Sequence, residues 1–343
     1  MRRLTCLLAV LGLNSTASAA TIHVPAEQPT LAAGLAAAIE GDTVLVDCGN
    51  YEEWALLVPG GVTLRSSAGD PQCVVIDALG NARGLEFGAS GALARIEGIT
   101  LVNGYASIGG GGAEIVGAQV AFADCRFSGN LAGHGGAVSI SGVDVDASFS
   151  RCTFDDNAAD QDGGALNEAA EGTSTLTLSD CLFVGNQAGR DGGGVALRAN
   201  PALHSIQGCT FDGNGAVRSG GGVSTYNALH LERCLITNST SQGAIGAVWP
   251  FSEFVVTLDC CDLWANTGGD YDPMFLDLLG VDGNISEDPR FCDGPGGGNF
   301  TIQDDSPCAA ANSGCGLLIG AGDVGCQNTA IAPISWSRVK SLY

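Results

Sequence analysis

The sequence predicts an all-β solenoid, a right-handed parallel β-helix with three short strands per coil of about 25–30 residues. Two observations carry this. Cysteines recur at 125, 152, 181, 209, 234 and 261, in steps of 27, 29, 28, 25 and 27 residues. Such a period marks stacked repeats, because an active site needs its residues only once. Composition agrees: 52 of 343 residues are glycine, 45% are hydrophobic and only 6% aromatic. That is too apolar for disorder and too rich in glycine for a helical protein.

The chain opens with Met1-Arg2-Arg3, an apolar run from Leu4 to Leu13 and the small residues Ala17-Ser18-Ala19-Ala20. This is the layout of a secretory signal peptide over residues 1–20, with the mature chain starting at Ala20 or Thr21. Cys6 lies inside the apolar run and is not read as a lipid-anchored cysteine. No later stretch reaches the roughly 18 apolar residues that span a bilayer, so the expected location is secreted or cell-surface. Residues 21–42 read as an N-terminal cap. Within them LAAGLAAAIE, after Pro29-Thr30, places Leu31, Leu35 and Ile39 at helical spacing, which predicts a short helix laid across the first coil and covering its open strand edges.

Residues 43–266 carry the coils. Alternating pairs such as Val120 and Phe122, Leu176 and Leu178, or Leu229 and Leu231 precede the recurrent cysteine, and period-2 alternation marks a strand with one buried face. Each unit continues through Cys-x-Phe, reaches an asparagine, turns at a glycine pair, and ends in a third alternating pair such as Val138 and Ile140. The asparagines are Asn130, Asn157, Asn186, Asn214 and Asn266, with Ser239 interrupting the file. They are expected to hold left-handed corners and to bond amide to amide between coils. Cys125, Cys152, Cys181, Cys209, Cys234 and Cys261 stack at the strand spacing of about 4.8 Å, wider than a relaxed disulfide's Cβ separation of about 3.8 Å. They are read as a core column of free thiols. A metal stack would need local pairs such as CxxC. Disulfides are expected elsewhere: Cys48 with Cys73 across the first coils, and Cys292, Cys308, Cys315 and Cys326 within a C-terminal coil and irregular cap at 267–326. Residues 327–343 read as a linker and an amphipathic turn, with Trp336, Val339, Lys340 and Tyr343 at helical spacing and an attachment role as the expectation.

The FxxN and GGA[ILV] pairs resemble the repeats of polymorphic outer membrane proteins. TLAAGLAAAIEGDTVLVDCGNYEE is similar to the opening of secreted right-handed β-helix proteins of the pectate-lyase-like superfamily. The resemblance covers about residues 21–326. It implies the fold, and a surface-displayed, adhesin-like or sugar-related role. It departs from the former family in lacking, after residue 266, the eight or more alternating segments of a membrane barrel.

A formal net charge of −23 repels phosphate backbones and anionic lipid heads, so nucleic acid is excluded as a partner. It also disfavours acidic polysaccharides unless a divalent cation bridges them. Aligning the units on Val138, Leu166, Val195, Val223 and Val248 brings His134, Asp162, Asp191 and Ser219 into one file, with Gln161, Arg190 and Arg218 beside it. Two carboxylates one coil apart have the geometry of an acid and base pair for glycoside chemistry, whereas the arginines beside them make the same file an ion-pair ladder. Tyr226, Trp249 and Phe251, just after the third strands, are candidates for stacking on sugar rings or for packing back on their own coils. The connections at 167–175, 199–203 and 250–255 are where repeat proteins place recognition. Asp155, Asp156, Asp160 and Asp162 bring calcium to mind, but only Asp160-x-Asp162-Gly163 fits a calcium-loop pattern, and no cofactor is expected. The function expected is therefore a non-enzymatic secreted or surface β-helix, adhesin-like or structural, that binds carbohydrate or another extracellular partner, with a purely structural layer protein as a further possibility. The alternative is a polysaccharide hydrolase or lyase using Asp162 and Asp191, assisted by His134, Arg190 and Arg218.

Overall fold

The computed structural model describes residues 18–198, 204–226, 228–243, 245–251, 256–294 and 299–326. The leader at 1–17 and the tail from 327, with Trp336, Val339, Lys340 and Tyr343, lie outside them. Every coil strand pairs parallel with its counterpart one coil away, and the result is a parallel β-helix. A ten-stranded sheet runs from Thr21–Val24 to Val256–Asp259, a nine-stranded one from Gly49–Tyr51 to Asp262–Trp264, and an eight-stranded one from Leu56–Leu57 to Val248–Pro250. Beyond these three, a narrow six-stranded ladder from Tyr105–Gly109 to Thr240–Ser241 follows the asparagine corner. Its central strands are only two residues wide, as at Ala158–Ala159 and Gln187–Ala188, too short to leave an alternation in the sequence.

The core follows from the register. Phe127, Phe154, Phe183 and Phe211 occupy one file of the nine-stranded sheet, and their rings stack face to face at 4.8, 4.6 and 4.6 Å. Strand spacing sets that distance. The cysteine column lies beside them as six buried free thiols. Cys152 donates its thiol to the Ser150 carbonyl at 3.4 Å, and its backbone N–H donates to Cys181 Sγ at 3.4 Å. Burial pushes the thiols of Cys152, Cys209 and Cys261 well up, so they stay protonated and unreactive. In protein lacking residues 1–20, a maleimide is expected to label none of the seven free cysteines until the chain unfolds, and all seven afterwards without reductant. Fast labelling of the native column would contradict this packing.

The corner differs from its sequence reading. The ladder asparagines are not left-handed; the residue before each is, with φ of 62° at Gly129, 53° at Asp156, 65° at Gly185 and 64° at Gly213. That turn swings the following side chain into the corner. There Asn130, Asn157 and Asn186 each donate an amide hydrogen to the next asparagine's Oδ1 at 3.0, 2.9 and 2.9 Å. The first glycine of each pair is also left-handed, with φ of 58° at Gly135 and 68° at Gly163.

Both ends are covered. The helix is Leu31–Ala37, with Leu31 and Leu35 buried. Thr30 Oγ1 caps it by accepting from the Ala33 N–H at 3.1 Å, and the Glu53 carboxylate accepts from the N–H groups of Leu31 and Ala32 at 2.8 and 2.9 Å. A Cβ on Gly34 would meet Val24 Cγ2 at 2.8 Å, so glycine lets the helix settle on the first strand. Ile39, assigned to the helical face by its spacing, lies outside the helix and is 57% exposed, because the chain leaves the helix at Ala38 in an extended conformation. At the other end, segment 284–286 continues the stack above the last coil, where the Leu263 N–H meets the Ile285 carbonyl at 3.3 Å.

Disulfides join Cys48 to Cys73, Cys292 to Cys326, and Cys260 to Cys315. Cys308, grouped with the cap disulfides on sequence, is instead a buried thiol that donates to Asp262 Oδ2 at 3.1 Å. Cys260 is Cys315's partner because adjacent residues face opposite sides of a strand or its corner. Cys261 belongs to the core column and Cys260 packs in a second apolar cluster with Leu235, Phe291, Ile302 and Ile319. That cluster also covers a flank: the Gly320 N–H donates to the Arg233 carbonyl at 2.7 Å and the Ala321 N–H to Thr210 Oγ1 at 2.9 Å.

Candidate functional site

The eight-stranded sheet pairs Val138, Leu166, Val195, Val223 and Val248 in register. The residues four positions earlier therefore stack. Backbone hydrogen bonds fix this file: Gly135 N–H to the Asp162 carbonyl at 2.9 Å, Gly163 N–H to Asp191 at 2.9 Å, and Gly192 N–H to Ser219 at 3.1 Å. His134, Asp162, Asp191 and Ser219 thus stand one above another on successive coils.

Asp162 and Asp191 are fully buried, and each carboxylate is gripped at two points. Arg190 donates Nε to Asp162 Oδ1 at 2.7 Å and Nη2 to Oδ2. Arg198 Nη1 stands 3.2 Å from the same Oδ2, and His134 Nδ1 3.6 Å from it. One coil on, Arg218 donates Nε to Asp191 Oδ1 at 2.9 Å and Nη2 to Oδ2. Ser219 Oγ adds a donor to Asp191 Oδ1 at 2.7 Å. Two-point guanidinium binding fixes a carboxylate in place. Burial pulls the His134 imidazole below its ordinary value, Asp162 opposes this, and Arg190 and Arg198 add to it, so His134 is neutral at pH 7. Gln161 is exposed and contributes its backbone N–H to the Gly133 carbonyl.

The aromatic candidates pack on one another. Tyr226 and Phe251 stack at 4.2 Å, Trp249 meets Phe251 edge-on at 6.1 Å, and the guanidinium groups of Arg198 and Arg218 lie 4.9 and 5.2 Å from the Tyr226 and Phe251 ring centres. Cation–π contact and stacking thus engage the faces a sugar would use. Residues 199–203 and 252–255, singled out as variable connections, lie outside the described residues. The acids around the calcium-like stretch diverge, since Asp155 binds Arg126 at 2.7 and 2.9 Å while Asp162 turns to Arg190.

The chain matches no protein family, no curated protein and no solved structure. The likeness to the pectate-lyase-like and polymorphic outer membrane protein groups therefore rests on the motifs alone.

A cleft of about 220 Å³ opens beside Asp162. Its floor is the outward file of the eight-stranded sheet, Glu114, Ser139 and Asn167. One wall is His134 and Asp162; the other is Ser141, Ala169 and Arg198, with Ile108 and Gly109 at the rim. Arg83 pairs with Glu114. Three larger hollows, of about 440, 430 and 330 Å³, lie away from this file, at Leu79, Tyr105 and Leu131, at Arg151, Asp180 and Arg233, and at Leu35, Trp54 and Leu57. Sequence reasoning missed Glu114 and Arg198, and reached Asn167 only as the first residue of the connection at 167–175. A signal existed: Arg198 stands three residues after Val195, as Tyr226 does after Val223 and Phe251 after Val248, so the aromatic file extended downward leads to Arg198, Ala169 and Ser141.

Proposed function

We propose that the protein is an extracellular β-helix without catalytic activity that binds carbohydrate along the flank of its eight-stranded sheet. The observation that carries this reading is the state of the two aspartates. Glycoside chemistry needs a carboxyl able to protonate a leaving group and a carboxylate able to attack or to activate water. Asp162 and Asp191 are buried, and both oxygens of each are held by an arginine. An ion-pair ladder fits this arrangement better than an acid and base pair does, with its carboxylates buried and its arginines 33% and 51% exposed. Three disulfides suit an oxidising compartment, and no helix among the described residues is long and apolar enough to cross a membrane. By analogy, the resemblance to surface-displayed and sugar-related β-helices points the same way.

The test is a panel of neutral and acidic polysaccharides, with and without calcium. The mature protein is expected to bind at least one neutral polysaccharide and to release no product from any. Turnover that disappears in the folded Asp162→Asn, Asp191→Asn double variant would replace this reading with a hydrolase or lyase on the same flank.

A further inference from the structure

We propose that the cleft between the His134–Asp162 file and the Ser141–Ala169–Arg198 file is a subsite for a single neutral hexose unit. The proposal rests on the carbohydrate reading and gives it a place and a ligand class. Its central observation is Asn167. This floor residue is only 4% exposed, lines the cleft, and has an Oδ1 without a hydrogen-bond partner among the described residues. A buried acceptor left unpaired weakens a fold, and native structures rarely keep one without a use. A hydroxyl donor entering the cleft would satisfy it.

The surrounding groups complete a set suited to a polyol. Arg198 Nη1 is ion-paired to Asp162 Oδ2 at 3.2 Å but has no aligned hydrogen-bond acceptor among the described residues, so a donor stands beside a spare acceptor. Ser139 and Ser141 supply hydroxyls that give or take a hydrogen bond. The neutral His134, with its side chain 37% exposed, offers one nitrogen of each kind. Ile108, 73% exposed at the rim, provides an apolar surface for the C–H face of a ring. Gly109 keeps that rim close to the floor, since a Cβ there would meet Ser139 Oγ at 2.7 Å.

Charge and size narrow the class. Arg83 is paired with Glu114, while Arg190 and Arg198 share the single carboxylate of Asp162, so the neutral class rests on the chain's charge of −23, which repels an acidic sugar. A volume of about 220 Å³ falls below the roughly 300–1,000 Å³ typical of drug-sized ligand pockets, which limits the cleft to one ring. The competing occupant is ordered water, which also satisfies orphaned polar groups.

Titration calorimetry and saturation-transfer NMR on the mature protein decide between them, with the methyl glycosides of glucose, galactose, mannose and glucuronic acid as probes. At least one neutral glycoside is expected to bind, and the glucuronide more weakly. Asn167→Ala is expected to lower that affinity about tenfold by removing the acceptor. Ala169→Leu, made at an exposed wall position, should do the same by filling the mouth, and it remains informative if the floor variant fails to fold. Unchanged affinity in a folded Asn167→Ala or in Ala169→Leu would overturn the subsite. So would polysaccharide binding without any binding of the four glycosides, although the carbohydrate reading would then stand. Absence of both kinds of binding would overturn that reading too.

Discussion

Asn186→Ala is expected to destabilise the protein by about 3–5 kcal/mol, as the sum of several buried polar groups left without partners. Asn186 Oδ1 accepts from the Asn157 backbone N–H at 3.1 Å and from Asn157 Nδ2 at 2.9 Å. Its own Nδ2 donates to the Phe154 carbonyl and to Asn214 Oδ1, both at 2.9 Å. Some partners keep a second bond: Asn157 Nδ2 still reaches the Phe127 carbonyl at 3.0 Å, and Asn214 Oδ1 still accepts from the Asn186 N–H at 3.0 Å. The Asn157 N–H loses its acceptor altogether in a corner with no solvent exposure. Ser239→Ala, in the same file, is the control. Its hydroxyl makes one long bond, to the Thr237 carbonyl at 3.3 Å, while its backbone N–H is held by Asn266 Oδ1 at 3.0 Å, so the cost there is about 1 kcal/mol or less. Urea unfolding of the two variants measures the contrast. Native-state hydrogen exchange localises it, because repeat proteins open coil by coil and protection should fall first at the Asn157 amide. Equal losses in the two variants would show that the ladder is not cooperative.

The ladder was legible because stacking imposes one demand on every layer. Phe127, Phe154, Phe183 and Phe211 must fill the same slot, and the cysteines beside them must be small and apolar, so the pattern repeats until it is visible. The left-handed residue before each asparagine was harder to see, since glycine, aspartate and other side chains serve there. The carboxylate file was found by the same alignment. Its pairing with Arg190 and Arg218 could be anticipated, but its burial could not. Exposure of an outward residue depends on what folds over it, and here that includes Arg190 and Arg198 over Asp162 and Arg218 over Asp191. The floor of the cleft was missed for a related reason: Glu114, Ser139 and Asn167 share a register position and nothing else. Recurrence finds a scaffold, whereas a site made of dissimilar side chains at one register position leaves no repeat. The cap was least legible. Which of Cys260, Cys308 and Cys315 pair depends on how an irregular segment folds back over Leu235, and spacing does not encode that path.

Asp262 makes the C-terminal end of the stack sensitive to pH. It sits fully buried on the last coil, where Oδ2 accepts the Cys308 thiol at 3.1 Å and Oδ1 accepts the Glu287 N–H at 3.1 Å. Burial is the main cause that raises its carboxyl from 3.8 to about 7; Glu287 and Asp270 push in the same direction, and the two hydrogen bonds oppose it. A folded-state value above the unfolded one means that the native chain holds this proton more tightly. The stabilisation is therefore full below about pH 4 and is lost as pH rises through about 7. A three-unit difference corresponds to about 4 kcal/mol as an upper bound. Asp262→Asn keeps an oxygen for the Glu287 N–H and removes the ionisation. Thermal melts from pH 4.5 to 8 are expected to show the wild type losing stability relative to this variant as pH rises, with the gap levelling off above about pH 7. Comparing the two proteins cancels the self-repulsion of the remaining acids, which also grows with pH. A constant difference across the range would mean that Asp262 ionises near its ordinary value and that the cap opens enough to hydrate it. The sensitivity would then have to be sought among the exposed acids of the surface.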